Sequence, residues 1–395
     1  MPVLLLIVFI DLLGFGLIIP LFPFYGDRLG ASPMAITWII AIYSLAQLIS
    51  TPFWGRMSDA YGRRPILMFS MLGAVASYLM LLFADSLWML FASRALAGMM
   101  AGNISAAFAY VTDISDEGSR ARSLGLIGAA FGLGFTLGPA LGGMLAGNDP
   151  ESARVLLPAA FAAVLSVIAF LGAWWFLPES LPAEQRKPLA RGRPGLSMPF
   201  GAVFARMDLS SLVGAAVLMA AATAMMQAIF PLWASRQFSY GPQTVGMAFF
   251  VLGILAVVCQ ASLIGPLARR FGTQRIALLG TLATSAGMVV LGLSTGNVAV
   301  VVALLLVGAG FGLFSPSVTT LVSLKAEPGE RGAVMGAYQA AGSVGRIIGP
   351  ALAGVLFTYV GVNAPFFFAA LIAIPALWLI VNGTKQTLAD LEQPA

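Results

Sequence analysis

Three charges stand inside long apolar stretches of this sequence. Asp11 interrupts LLLIVFIDLLGFGLIIP about eight residues into the first apolar run, Arg94 lies about seven residues into the fourth run, entered from the other side, and Arg346 falls within the eleventh. At 1.5 Å per residue Asp11 is about 12 Å deep. Of sixteen acidic residues nearly all the others lie between apolar runs, and Asp113 sits at the end of the fourth. A carboxylate in hydrocarbon is expensive, so it is expected to be paired, protonated or functional. A nearby arginine favours the ionised carboxylate and desolvation disfavours it. If the surroundings open and close, both influences change, and such a group takes up and releases a proton. Asp11 with Arg94 is therefore the candidate for proton coupling. The plainer reading is a static ion pair joining two helices.

A second cluster is GRMSDAYGRRP, Gly55 to Pro65, in which four of eleven residues are charged (Arg56, Asp59, Arg63, Arg64) against 9% of the whole chain. Other chemistries lack their residues. The chain has no histidine, which removes the commonest general base and metal ligand. Its one cysteine, Cys259, excludes a disulfide framework and a thiolate cluster. GAGFGLFSP (Gly308 to Pro316) is Gly-rich but follows no strand, so it is no phosphate loop. No enzyme, metal or cofactor is expected.

The elements that position these charges follow from hydropathy. The chain is 59% hydrophobic with a mean hydropathy of +0.93 over 395 residues. A membrane crossing takes about 20 mostly apolar residues. Twelve runs qualify: 3–25, 34–55, 65–84, 87–111, 121–147, 155–177, 209–233, 242–265, 275–294, 297–323, 332–358 and 363–382. Bare lipid tolerates no unpaired backbone, so an all-α integral membrane fold of twelve transmembrane helices is expected. No basic n-region or cleavage site precedes the first run, and no signal peptide is expected. With the N-terminus in the cytoplasm, the inner loops hold sixteen Lys and Arg (among them Arg120, Arg186, Lys187, Arg269 and Lys325) and the outer loops three, Arg28, Arg154 and Arg236. This bias places both termini in the cytoplasm. It also accounts for the net charge of +5 without nucleic acid.

Residues 178–208 are rich in Pro and Arg and read as a cytoplasmic linker. It separates a six-helix bundle over 1–177 from a second over 209–382, followed by a cytoplasmic tail, 383–395. The bundles are repeats. At an offset of 211 residues, DEGSRARSLGLIGAAFGLGFTLGPALGGML falls on EPGERGAVMGAYQAAGSVGRIIGPALAGVL. GRMSDAYGRR has a weaker echo in GPLARRFGTQR. An even number of helices makes the repeats parallel, with a site expected between the halves. The same offset carries Asp11 to Ala222 and Arg94 to Leu305, so ionisable chemistry is concentrated in the first half. In the fifth run, Gly134, Gly138, Gly142 and Gly143 with Pro139 remove side-chain bulk and let helices approach. Gly345, Gly349, Pro350 and Gly354 imply a matching contact in the repeat.

The chain resembles a major facilitator superfamily transporter, and within it the twelve-helix drug:proton antiporters, nearest the tetracycline efflux group. GRMSDAYGRRP resembles the loop signature between helices 2 and 3, RALAGMMAG the arginine-based signature of helix 4, GFTLGPALGG the antiport signature of helix 5, and IDLLGFGLIIPLFP the start of helix 1 in the tetracycline group. The likeness implies that Gly55 and Gly62 let helices 2 and 3 pack close. It implies that Asp59 meets the N-terminus of helix 11, where the helix dipole favours an anion. It also implies that Arg63 pairs with Asp113. These residues, with Arg64, would form a latch on the outward-facing state. The family usually has an arginine after the aspartate, where this chain has Ala60. The plainer reading is that Arg63 and Arg64 only set topology.

In that family helices 1, 4, 7 and 10 line the cavity. Together with their neighbours these give the substrate candidates Phe15, Phe22, Tyr43, Gln47, Asn103, Tyr110, Met226, Gln227, Phe230, Phe311, Phe314, Tyr338 and Gln339. Arg346 either holds an anionic group or satisfies carbonyls near Pro350. Aromatics and methionines with scattered amides suit lipophilic cargo. The tetracycline group's acidic residues in helices 3 and 9 fall on Ser77 and Thr284, and its helix 8 histidine on Ala256, which argues against the metal-tetracycline chelate. The expectation is a monomeric, multi-pass protein of the bacterial inner membrane that exports a small lipophilic compound by alternating access. Its partners are that substrate, protons and the bilayer, with no nucleic acid. Two other readings stand: an uptake transporter or facilitator for an anionic metabolite using Arg94 and Arg346, and a transporter-like sensor without net flux.

Overall fold

The computed structural model describes residues 2–149, 156–186, 206–327 and 331–391. Among them twelve helices are long and apolar enough to cross a membrane. They are α1 (Val3–Arg28), α2 (Pro33–Tyr61), α3 (Arg63–Leu82), α4 (Leu87–Ile114), α5 (Ser123–Ala146), α6 (Leu156–Phe176), α7 (Met207–Phe238), α8 (Pro242–Phe271), α9 (Thr273–Leu293), α10 (Asn297–Lys325), α11 (Val334–Tyr359) and α12 (Ala364–Thr384). Most of the linker, at 187–205, lies outside the described residues.

Local chemistry sets where the helices bend and stop. Pro20 and Pro23 lack backbone N–H groups, and α1 tightens into a 3-10 turn at Ile19–Leu21. The charged stretch after Gly55 is mostly helix rather than turn. α2 runs on to Tyr61, and Gly62 alone, at φ +105°, reverses the chain into α3. Gly272, at φ +83°, does the same between α8 and α9. Both positions need the left-handed backbone that glycine adopts without strain. α8 widens into a π-helix over Cys259–Leu263, and α4 is interrupted at Gly102 and Asn103.

The chain divides into two compact units: Met1–Pro194 with Ala234–Phe250, and Gly195–Trp233 with Val251–Ala395. In the first, α5 lies on α1 with backbone against backbone. A Cβ on Gly138 would come within 2.7 Å of Gly16 Cα, and one on Gly134 within 2.8 Å of Leu12 Cβ. One on Gly142 would collide with the Leu17 carbonyl. Gly143, at the far end of α5, meets Pro242 and Gln243 at the start of α8, and Gly246 approaches Pro139. Gln243 N donates to Gly147 O at 3.0 Å, and Thr244 Oγ1 to Asn148 Oδ1 at 2.8 Å. In the second unit, Gly345 and Gly349 of α11 face Val217 and Ala221 of α7 in the same way. The small residues thus set the α1–α5 and α7–α11 spacings. Between them, Leu4, Ile7, Leu67, Ala106 and Tyr110 lie in the core of the first unit, and Leu212, Val318, Val334 and Ile380 in that of the second.

Gly142→Ala places a methyl against the Leu17 carbonyl with no flexible side chain to yield, a defect of about 1–3 kcal/mol. Gly125 has nothing within 4 Å of its Cβ position. The expected result is a lower unfolding temperature for Gly142→Ala and an unchanged or higher one for Gly125→Ala, measured on protein in lipid nanodiscs. Equal melting of the two variants contradicts the close-packing account.

Candidate functional site

Asp11 projects from α1 toward α3 and α4. Beside it lies a cavity of about 20 Å³, lined by Ile7, Val8, Asp11, Leu12, Leu67, Met71, Asn103, Ile104 and Ala107. That volume accommodates one water molecule. The Asn103 amide donates to Ser70 Oγ at 2.6 Å. This fixes the amide and leaves its carbonyl side for the cavity. One turn along α1, Gly14 makes room for Tyr78 of α3, whose hydroxyl would lie 2.9 Å from a Cβ there.

Arg94 packs against aromatic rings. Its guanidinium carbon lies 4.6 Å from the Phe22 ring centroid and 5.7 Å from that of Tyr43, and the Phe15 ring lies tilted against Tyr43 at 4.3 Å. Among the described residues no ion pair involves Asp11 or Arg94. A static pair joining α1 and α4 is therefore not what the structure holds. Arg94 packs on the rings of Phe22 and Tyr43 instead, and Tyr78 of α3 interacts electrostatically with both Arg94 and Asp11. Phe15, Phe22, Tyr43 and Arg94 are brought together. Asn103 stands with Asp11 instead.

The charged end of the same unit is built around Arg63, which is 7% exposed. Its Nε donates to Asp113 Oδ2 at 3.1 Å and its Nη1 to Ser58 Oγ at 2.8 Å, while Asp59 one turn back forms a further ion pair. Arg64 Nη2 donates to the carbonyl of Trp174 at 2.5 Å. The N-terminus of helix 11 that the likeness assigns to Asp59 adjoins 328–330, outside the described residues.

Glu179 is the group that sequence reasoning missed. Its Oε1 accepts from Arg63 N at 2.8 Å, Ser180 N at 3.0 Å and Leu181 N at 3.1 Å. A carboxylate capping the first turn of α3 satisfies an orphan donor and matches the helix dipole. Ser180 Oγ donates to Asp113 Oδ2 at 3.1 Å, and Tyr110 Oη donates to Pro178 O at 2.8 Å. Tyr110 thus docks the start of the linker. A Cβ on Gly62 would collide with Glu179, so glycine there serves both the turn and the cap. An acidic residue between two prolines, in a stretch otherwise rich in Arg, was the available signal.

The remaining candidates scatter. Gln47 donates to Ala101 O at 3.4 Å. In the second unit Met226, Phe230 and Phe314 are buried, Gln227 is half-buried, and Phe311, Gln339 and Arg346 are exposed. Tyr338 is buried with its hydroxyl 3.1 Å from Thr319 Oγ1, and Arg346 Nη2 donates to Ser343 Oγ at 2.7 Å. Ser77 and Thr284 are buried and bond the carbonyls of their own helices.

Comparison with known proteins agrees with this architecture. The model of the Major Facilitator Superfamily matches residues 4–350 and, in a second alignment, 212–394. The chain is 32% identical over 361 residues to the tetracycline resistance protein, class G, of Vibrio anguillarum, covering 88% of this chain and 87% of that one. It is 29% identical over 387 residues to multidrug resistance protein 2 of Bacillus subtilis (strain 168), covering 94% and 92%. Among solved structures, the human organic anion transporter MFSD10 (TETRAN) superposes with a TM-score of 0.71 at 25% identity, covering 96% and 98%.

Glu179→Ala leaves three backbone N–H groups without their acceptor. Because Glu179 is partly exposed, water replaces some of what is lost, and the expected destabilisation is about 1 kcal/mol. Hydrogen exchange at the amides of Arg63, Ser180 and Leu181 should speed up, less so in Glu179→Gln, which keeps a carbonyl. Unchanged exchange at all three amides in the Ala variant rules out the cap.

Proposed function

This chain belongs to the Major Facilitator Superfamily, and we propose that it is a proton-coupled efflux transporter. It exports small lipophilic compounds from a bacterial cytoplasm by alternating access. The observation that carries the proton part is Asp11, a carboxylate within an apolar span with a water-sized cavity beside it. Whether such a group holds its proton depends on whether water reaches it. A cycle that wets the cavity from one side and then the other therefore loads and unloads a proton. Similarity to proteins named for tetracycline and multidrug resistance supports export. Those names, with the organic anion of the human protein, leave the charge of the cargo open. Ser77, Thr284 and Ala256, which carry no charge, speak for a cargo other than metal-tetracycline.

The charged end supports a latch. Arg63 gathers Asp59, Asp113 and Ser58, and Glu179 orders the turn that presents them. With the N-terminus in the cytoplasm, this cluster faces the cytoplasm. There Asp59 has a carboxylate oxygen to offer the start of α11 when that side closes.

Asp11→Asn keeps size and hydrogen bonding but removes the titrating group. In proteoliposomes under a pH step, with anionic, neutral and cationic dyes run in parallel, the expected accumulation ratio falls to about one for whichever dye the wild type concentrates. Substrate-for-substrate exchange persists, because it needs no proton. Uphill transport by Asp11→Asn with wild-type pH dependence would move the proton site elsewhere, with Asp113 next in line. Asp59→Asn should shift spin-label distances between the charged ends of α4 and α10 toward the inward-open population. An unchanged distance distribution removes the latch.

A further inference from the structure

Arg94 is a buried cation with part of its hydrogen-bonding capacity unused. It is 2% exposed, and its Nε and Nη2 are sealed from solvent with no hydrogen-bond partner. Buried donors in native proteins are almost always satisfied, and a buried charge is usually paired. The ion pairs among the described residues do not include it. Tyr78 of α3 interacts electrostatically with both Arg94 and Asp11, and neither it nor Asp11 forms an ion pair with the guanidinium. The rings of Phe22 and Tyr43 lie near the guanidinium carbon at 4.6 and 5.7 Å. Aromatic rings attract a cation but accept no N–H hydrogen bond of ordinary strength, so they hold the group in place without neutralising it.

The identity of the two idle atoms is informative. Nε and Nη2 form one edge of the guanidinium, and their N–H bonds run nearly parallel. That edge is the donor fork a carboxylate meets with both oxygens. Aromatic rings surround the guanidinium: beyond Phe22 and Tyr43, Phe15 lies tilted against Tyr43 at 4.3 Å and meets Phe135 edge-on at 5.4 Å. A forked donor beside rings suits a molecule with a flat apolar body and one planar acidic group.

We propose that Arg94 is the anchor for an acidic group on the cargo, so that the exported compounds are lipophilic organic anions, carboxylates above all. This rests on the transport reading above and names its substrate class. Anion export against proton entry also moves positive charge inward twice per cycle, once with the proton and once by loss of the anion. An inside-negative potential therefore drives it more strongly than the export of a neutral compound. The shared chemistry is an anion on the fork, and a small inorganic ion is the other source.

The test is binding, which needs no proton gradient. Full-length protein in nanodiscs is titrated with naphthoate, its methyl ester and naphthylmethylamine, in chloride and in gluconate buffers of equal ionic strength, and followed by unfolding temperature and tryptophan fluorescence. The expected result is at least about tenfold tighter binding of the acid than of the ester. Arg94→Gln should abolish that preference while ester binding remains. Arg94→Lys, which keeps the charge but not the fork, should retain only part of it, and it carries the test if the Gln variant does not fold. Equal affinity for acid and ester, preference for the amine, an acid preference that survives Arg94→Gln, or no shift with any probe would each overturn the proposal. So would stabilisation by chloride as large as that by naphthoate and equally dependent on Arg94, which would make the anion inorganic. Failure of the transport reading looks different: acid-selective binding intact, with no proton-driven flux of any dye.

Discussion

Everything in the first unit depends on how closely α5 lies on α1. Gly134, Gly138 and Gly142 bring backbone to backbone along Leu12, Gly16 and Leu17. Without a hydrophobic drive between helices in lipid, such contact is what fixes one helix axis against another. Fixing α1 fixes the two levels at which chemistry is displayed, Asp11 at one and Phe22 at the other. The opposite end of α5 carries the consequence further, because Gly143 admits Pro242 and Gln243, and Pro139 receives Gly246. The small residues of α5 therefore tie α1 to the start of α8.

Asp11 of α1 and Arg94 of α4 form no ion pair with each other. A carboxylate tied to an arginine by a direct ion pair would be held ionised by it. Here Arg94 is caged by Phe22 and Tyr43, and Asp11 stands beside a cavity with Asn103 and Met71. Tyr78 of α3, lodged against Gly14, is a neighbour common to both charges.

Much of this was legible in the sequence, for identifiable reasons. Twelve apolar runs of spanning length have few alternatives once lipid forbids unpaired backbone. The small residues of α5 and α11 read as packing surfaces because their spacing is that of one helix face. What hydropathy could not show is where a polar group on an apolar helix points. Tyr110 was grouped with cavity residues and instead holds Pro178. Asn103 bonds Ser70. Composition groups Asp11 with Arg94, whereas in the structure Arg94 packs on aromatic rings and forms no ion pair with Asp11. Glu179 went unnoticed because its partners are backbone N–H groups, two of them its immediate successors, and main-chain acceptors leave no mark on residue type. The π-helix at Cys259–Leu263 was equally invisible.

The turn at Gly62 bears on how this protein enters its membrane. α2 and α3 are joined by one residue, with Arg56, Arg63 and Arg64 crowded around the joint. Two helices so connected cannot choose their directions separately during synthesis: when the first is threaded one way, the second must return. The one-residue joint favours their insertion together as a hairpin, with the positive charges at its tip on one face of the bilayer. An insertion that lengthened this joint would free α3 to be decided on its own, and would give the growing chain an error that the wild-type sequence has no means of making.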